Sequence, residues 1–215
     1  MEILYQDSAL WVAVKPPEAL SEQTPDQRGF ADLLAAQNNG YVGVIHRLDR
    51  GVGGVMVYAK TGEAAARLSA CVQDRSMKKE YLAVLCGAPE LPSATLRDLL
   101  FHDRFANKTY VVERERKGVK EAILDYELLE TVTTEEHGIL SLVRVTLHTG
   151  RTHQIRAQFS HRGLPLLGDR KYGSRVSGSI ALFSHRLTFP HPSSKKSLTF
   201  SKEPSGYPWS LFSKT

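Results

Sequence analysis

The stretch YVGVIHRLDRGVGGVMVYA, residues 41–59, places a polar motif between two apolar runs. YVGVI and GGVMVYA each have the length and the apolar, β-branched character of a strand. HRLDRGVGG, residues 46–54, then forms a loop or a strand end, and its single acid is Asp49. Because catalytic groups concentrate on loops carried by a rigid sheet, the stretch predicts a sheet with a functional loop.

Asp49 lies between Arg47 and Arg50 in the sequence. Positive charge nearby favours the ionised form of a carboxylate, which makes Asp49 a poor general acid at neutral pH. Such a carboxylate is a nucleophile towards an electron-poor carbon, one half of a surface ion pair, or a metal ligand. The residues alone leave these alternatives open.

The composition indicates one globular core and an anionic partner. The chain has 215 residues, 41% of them hydrophobic, and a formal net charge of +5. The segment from Arg144 to Arg175 contains seven Lys or Arg residues and only one acid, Asp169, so the positive charge is concentrated in the C-terminal half. A solvated basic face is the alternative interpretation of this charge. No apolar run approaches the roughly 18 residues of a membrane span, and the start lacks a secretory signal, so we expect a cytoplasmic protein.

The order of elements predicts an α+β fold in which sheet predominates. Strands alternate with a helix over residues 24–37 that is capped by Thr24, and with an amphipathic helix over residues 62–75. Residues 87–120 carry prolines and mixed charges, which favours a hairpin or a mobile arm. No clear boundary interrupts the chain, so we expect a single domain over residues 1–215.

The segment TGRTHQIRAQ, residues 149–158, predicts a basic helix that begins near Thr152. Helical spacing places His153 and Arg156 on one side, and Arg156 at the edge of an apolar stripe. A guanidinium at such an edge suits a carboxylate partner, although a solvent-facing basic helix fits the pattern equally well. Tyr81, in the strand-like run KKEYLAVLC, is by itself typical of a core residue.

Four motifs, taken together, resemble those of RluA-type RNA pseudouridine synthases. In chain order they are HRLD at 46–49, KKEYLAV at 78–84, TGRTHQIRAQ at 149–158 and LPLLGDRKYG at 164–173. HRLD alone would be weak evidence, but four ordered motifs at compatible separations are specific. One departure stands out, because Val52-Gly53-Gly54 replaces the Thr-Ser-Gly that the family commonly has after the aspartate.

The resemblance implies the pseudouridine synthase fold, a mixed, mostly antiparallel sheet with flanking helices and loops around a central cleft. It implies isomerisation of specific uridines in ribosomal or transfer RNA, without cofactor or metal, by a monomer that does not bind membranes. Asp49 would be the nucleophile, Tyr81 would stack on the target base, and Arg156 would pair with Asp49.

The resemblance also suggests how RNA is held. The implied RNA-binding residues are Arg47, Arg50, Arg151, His153 and Gln154. The glycines of HRLDRGVGG are interpreted as space for a flipped nucleotide, although a tight turn between strands needs glycine as well.

Three other functions are alternatives to a pseudouridine synthase. A metal-dependent RNA hydrolase would use His46, Asp49 and His153, and a noncatalytic module would bind RNA without changing it. A glycosidase would need a second carboxylate at a defined separation, which the motifs do not supply.

Overall fold

The structure, a computed structural model, describes residues 1–213, which form eleven strands and three α-helices. The strands are β1 (Glu2–Gln6), β2 (Leu10–Lys15), β3 (Gly43–Val44), β4 (Gly53–Ala59), β5 (Lys78–Cys86), β6 (Ser93–Asp103), β7 (Lys108–Val112), β8 (Val119–Thr134), β9 (Gly138–Leu147), β10 (Leu182–Pro190) and β11 (Ser197–Ser201). The helices are α1 (Phe30–Ala35), α2 (Gly62–Gln73) and α3 (Gln154–His161). The predicted α+β class with predominant sheet is confirmed. None of the helices in the described range has the length and apolarity that a membrane span requires.

The chain divides into two packed units. The first unit comprises Met1–Lys79 and Phe183–Glu203, and the second comprises Glu80–Leu182 and the C-terminal residues from Pro204. The single catalytic domain over residues 1–215 stays a prediction.

In the first unit the strand order is β1-β2-β4-β10, with β3 also paired to β4 and β11 to β10. All of these pairs are antiparallel except β4 with β10, which is parallel. Ala64 and Leu68 of α2 pack into a core with Val55 and Val57 of β4. Thr61 caps α2 by accepting the Ala64 N–H at 3.1 Å. The helix predicted over residues 62–75 is therefore confirmed.

The helix predicted over residues 24–37 begins later than expected, at Phe30. Thr24 does not cap it, because Thr24 and Gln27 pair through their backbones in a turn. The capping position belongs to Gly29, whose N–H donates to the Asp32 carboxylate at 2.6 Å. A carboxylate in the first turn thus sets the start of this helix, where the sequence pattern favoured a threonine hydroxyl.

In the second unit the strand order is β5-β9-β8-β6-β7. The β9–β8, β8–β6 and β6–β7 pairs are antiparallel. The hairpin expected within residues 87–120 is thus present, formed by β6 and β7. α3 packs on this sheet through Ala157, which shares a core with Leu100 and Ala122, and through Phe159, whose ring lies 5.5 Å from that of Tyr126.

The glycines at the start of β4 are required by close packing. Gly54 has φ +125°, and a Cβ built there would lie 2.3 Å from the Ser184 carbonyl oxygen of β10. A Cβ on Gly53 would lie 3.0 Å from the Pro17 ring. The interpretation of these two glycines as space for a nucleotide is therefore wrong, since the protein's own atoms occupy that space.

Gly54→Ala is expected to destabilise the protein by about 2–6 kcal/mol, because it combines a steric overlap with a strained φ. Chemical denaturation would measure the free energy of unfolding. The matched control is Gly62→Ala at the start of α2, where the nearest atom to an added Cβ would be the Tyr41 hydroxyl oxygen at 4.0 Å, an ordinary contact distance. That variant should be unchanged or more stable by about 0.5–1 kcal/mol. Equal stability of the two variants would contradict the packing argument.

A fully buried lysine ends β2. Lys15 is 0% exposed, and its Nζ donates to the carbonyl oxygens of Pro16 at 2.9 Å and Ala19 at 2.7 Å. Burial lowers the pKa of Lys15 to about 8, although the negative charges of Glu18 and Asp49 act in the opposite direction. The two carbonyls compensate part of the desolvation, so the ammonium is tolerated inside the unit.

The Lys15 pKa predicts a pH dependence of stability. Between about pH 8 and the ordinary lysine value of 10.5, the folded protein binds fewer protons at Lys15 than the unfolded chain does. The Lys15 contribution to the free energy of unfolding should therefore rise with pH across this window, by up to about 3 kcal/mol. Urea denaturation of wild type and Lys15→Met would measure it as their difference. The exposed Lys196→Met is the control, and a flat wild-type minus Lys15→Met difference would refute the assignment.

Candidate active site

Asp49 is half-buried in the loop between β3 and β4, and backbone contacts hold this loop on both sides. Its carbonyl oxygen accepts the Val52 N–H at 3.0 Å, and the N–H of Gly51, the residue before Val52, donates to the Pro17 carbonyl oxygen at 3.1 Å. On the other side, the Ser21 hydroxyl bonds to both the N–H and the carbonyl oxygen of Leu48. The carboxylate therefore stands on a loop whose position is set by the segment that follows β2.

A cation that sequence reasoning missed acts on Asp49. Burial lowers the pKa of Lys15, and the negative charges of Glu18 and then Asp49 oppose that shift, so Lys15 and Asp49 interact within the first unit. Arg47 and Arg50 are exposed, and Arg47 forms a surface ion pair with Glu22 at 3.3 Å. The available signal was a lysine at the end of the apolar run LWVAVK, directly before two prolines.

His46, which opens the HRLD motif, is buried and serves the fold. Its Nε2 accepts the Val57 N–H at 3.3 Å, and its Nδ1 has no hydrogen-bond partner within residues 1–213. Burial, followed by the charge of Lys79, holds the pKa of His46 well below its ordinary value. The imidazole is therefore neutral at physiological pH.

The metal-dependent hydrolase needs His46, Asp49 and His153 as ligands. Nε2 of His46 is already used by the backbone, and Nδ1 of His153 bonds to the Tyr172 hydroxyl at 2.9 Å. In the part of the chain that the structure describes, no group of three or more His, Cys, Asp or Glu side chains is arranged to hold a metal ion.

Tyr81 lies within β5 and is 6% exposed. The residues from Tyr81 to Leu85 are all buried, so both faces of this strand are covered. The alternation in the sequence therefore does not separate a solvent face from a core face here. The strand provides a rigid support for the tyrosine ring.

Arg156 is buried in α3 and forms a two-point ion pair with Asp169. Its Nε donates to Oδ2 at 2.6 Å and its Nη2 to Oδ1 at 2.9 Å, while the side chains are only 6% and 1% exposed. The Tyr172 ring lies 4.8 Å from Cζ of the guanidinium. The alternative of a basic helix facing solvent is thereby excluded. Asp169 and Tyr172 both belong to the GDRKYG motif, whose sequence pattern predicted no role for either residue.

Tyr172 connects Arg156 to the β6–β7 hairpin and to the start of α3. Its hydroxyl accepts the Thr109 N–H at 2.7 Å and bonds to His153 Nδ1. Burial raises the pKa of Tyr172 despite the hydrogen bonds from Thr109, which act in the opposite direction. His153 precedes α3 in a left-handed conformation with φ +53°. The tyrosine thus holds the guanidinium, the helix start and the hairpin in one network.

The predicted RNA-binding residues differ in accessibility. Arg47 and Arg50 are exposed, whereas His153 and Arg151 are partly buried and Arg151 Nε donates to the Glu121 carbonyl oxygen at 2.9 Å. Gln154 is 2% exposed, and both ends of its amide are used inside the protein. Gln154 thus orders the turn before α3, and its contact with RNA stays a prediction.

The three predicted catalytic residues are distributed over both units. Asp49 belongs to the first unit, whereas Tyr81 and Arg156 belong to the second. The partner of Arg156 within its own unit is Asp169, which sequence reasoning did not foresee. The ion pair between Arg156 and Asp49 stays a prediction.

The chain was compared with known proteins. A family model described as RNA pseudouridylate synthase matches residues 9–161. tRNA pseudouridine synthase C of Haemophilus influenzae is 33% identical over 223 residues, which cover 93% of this chain and 91% of that protein. Ribosomal large subunit pseudouridine synthase D of Pseudomonas aeruginosa is 34% identical over 182 residues, which cover 81% of this chain but 54% of that protein.

A relative in Aquifex aeolicus, described as an uncharacterized RNA pseudouridine synthase, is 29% identical and is matched over 69% of its length. The chain thus spans from about half to nine tenths of the length of these relatives.

Among solved structures, human RNA pseudouridylate synthase domain containing 4 matches with a TM-score of 0.79 over 98% of this chain and 91% of that one. The sequence identity is 22%, so this likeness shows the fold alone, and it confirms the predicted fold class. The family model covers more than two thirds of the chain and includes the HRLD, KKEYLAV and GRTHQIR motifs. The chain therefore belongs to the RNA pseudouridylate synthase family, a family of isomerases, and its motifs are those of the RluA type.

Proposed function

We propose that this chain converts uridine to pseudouridine within ribosomal or transfer RNA and that Asp49 is its nucleophile. The observation that carries the proposal is the extent of the family match, since Asp49, Tyr81 and Arg156 all lie inside residues 9–161. The two relatives named for a substrate act on different RNA classes, transfer RNA in one case and ribosomal RNA in the other.

The reaction is an isomerisation. The bond between N1 of uracil and C1′ of the ribose breaks, the base turns, and C5 bonds to C1′. C5 then loses its proton and N1 gains one, so atoms and electrons balance without an oxidant or a cofactor. Asp49 supplies a carboxylate on an ordered, half-buried loop, which suits attack on an electron-poor carbon.

Arg156 and Tyr81 have supporting roles in this proposal. Arg156 carries a fixed positive charge, held in place by Asp169, that pairs with the nucleophilic carboxylate in this proposal. Tyr81 stacks on the uracil and assists the proton loss from C5. Its position within an ordered strand limits its movement, which lowers the entropic cost of stacking.

The RNA must expose its target base. Flipping a stacked base costs roughly a few kcal/mol, and stacking and backbone contacts in the enzyme offset that cost. The exposed cations Arg47 and Arg50 flank Asp49 in the sequence and are suited to hold phosphates near the flipped nucleotide. A loop or bulge is the expected target, because an A-form duplex hides its base edges from side chains.

Asp49→Asn should abolish pseudouridine formation while leaving the fold and RNA binding intact, because it removes the nucleophile and keeps the side-chain shape. Pseudouridine mapping in total RNA, from cells with the gene, without it and with the variant, would measure activity and identify the substrate. The exposed Asp26→Asn is the matched control and should retain full activity. Pseudouridine at the enzyme's sites in cells carrying Asp49→Asn would overturn the mechanism.

Substitutions of Arg156 and Arg50 should change different quantities, the single-turnover rate for Arg156 and the RNA affinity for Arg50. Arg156→Lys keeps a charge against the buried Asp169 but loses the two-point geometry, so it should lower the single-turnover rate far more than RNA affinity. Arg50→Ala should weaken RNA binding and reduce the slope of log affinity against log salt by about one, with little change in rate. Filter binding over a salt series, paired with single-turnover kinetics, would separate the two effects. The reverse pattern would refute the assigned roles.

A further inference from the structure

The β6–β7 hairpin presents a fully exposed aromatic side chain at its tip. Phe105 is 105% exposed, whereas the next most exposed large hydrophobic residue of the described chain, Tyr207, is 60% exposed. The neighbours of Phe105 in the turn are Arg104 and Ala106, which are also exposed. The phenyl ring therefore projects into solvent, separate from any core.

The turn fixes the backbone that carries this ring. The carboxylate of Asp103 accepts the N–H groups of Phe105 at 2.9 Å and Ala106 at 3.1 Å. On the far side, Asn107 is left-handed with φ +44°, and its carbonyl oxygen accepts a hydrogen bond from Lys171 at 3.1 Å. The exposure of Phe105 therefore results from an ordered turn, which lowers the entropic cost of binding through it.

The base of the turn is joined to the network around Arg156. The Thr109 hydroxyl donates to the Thr152 carbonyl oxygen at 2.8 Å, and its N–H donates to the Tyr172 hydroxyl. Nζ of Lys108 lies 5.4 Å from the Tyr172 ring and 5.5 Å from the Tyr110 ring. The hairpin is thus a structural extension of the part of the second unit that holds Arg156.

The hairpin and the segment after it carry an excess of positive charge. Residues 101–120 contain Arg104, Lys108, Arg114, Arg116, Lys117 and Lys120 against Asp103, Glu113 and Glu115. At the tip, Arg104, Lys108 and Lys171, which donates to the Asn107 carbonyl oxygen, outnumber the single carboxylate of Asp103. An exposed aromatic ring among cations is the combination with which proteins bind single-stranded nucleic acid.

We propose that Phe105 stacks on an unpaired base of the RNA, outside the catalytic site, while the surrounding cations hold the adjacent phosphates. The inference rests on the proposed function only in taking RNA as the partner. A protein surface fits the tip less well, because the exposed residues beside Phe105 in the turn are polar or small and form no apolar patch.

Fluorescence anisotropy with a fluorescein-labelled, single-stranded RNA of about 20 nucleotides would test the proposal. Phe105→Ala should raise the Kd about 5- to 150-fold, the size of one base–aromatic stacking interaction. Phe105→Trp should restore affinity, whereas Phe105→Leu, which keeps apolar bulk without an aromatic face, should not. Leu91→Ala, at another exposed apolar residue of the same unit, is the control and should bind like wild type. Wild-type affinity of Phe105→Ala or Phe105→Leu would overturn the stacking role.

Two further measurements separate this proposal from its alternatives. A 2-aminopurine base in the same RNA should be quenched by wild type and much less by Phe105→Ala, and equal quenching would overturn the proposal. Sedimentation velocity should give the same mass for wild type and Phe105→Ala. A dimeric wild type with a monomeric Phe105→Ala would instead indicate that the tip binds a second copy of the chain. Because these readouts need no catalysis, they hold even if Asp49→Asn refutes the proposed reaction.

Discussion

The second unit is organised around a buried guanidinium that has a carboxylate on one side and an aromatic ring beside it. A buried charge is unfavourable unless it is paired and hydrogen-bonded, and Arg156 meets this requirement through two bonds to Asp169. The geometry of two parallel bonds fixes the orientation of the guanidinium as well as its position. The Tyr172 ring lies beside the guanidinium, and its hydroxyl hydrogen-bonds to Thr109 in the hairpin and to His153 at the start of α3.

In the first unit, different interactions hold the functional carboxylate in place. Its functional carboxylate, Asp49, stands on a loop that is held by backbone hydrogen bonds and by the close approach of β10 to Gly54. A buried ammonium, Lys15, interacts with that carboxylate from the end of β2. In both units, therefore, the sheet sets the backbone and a buried charge accompanies the functional side chain.

The departure from the family pattern after HRLD has a packing explanation. Val52 is buried, Gly53 lies against the Pro17 ring, and Gly54 lies against the backbone of Ser184. A Cβ at position 53 would lie 3.0 Å from the Pro17 ring, so a serine there would require Pro17 to shift. The departure thus coincides with close packing at Gly53 and Gly54, and it leaves the HRLD motif itself intact.

The sequence by itself determined the fold class, the family and the three catalytic candidates, because hydrophobic periodicity and ordered motifs are local properties of the chain. It also indicated α2 and the β6–β7 hairpin from the same kind of pattern. Only the tertiary structure decided that Asp169 holds Arg156, that Lys15 is buried near Asp49, and that Gln154 is internal. These facts depend on which distant residues meet and how much water they exclude, and no spacing along the chain encodes either.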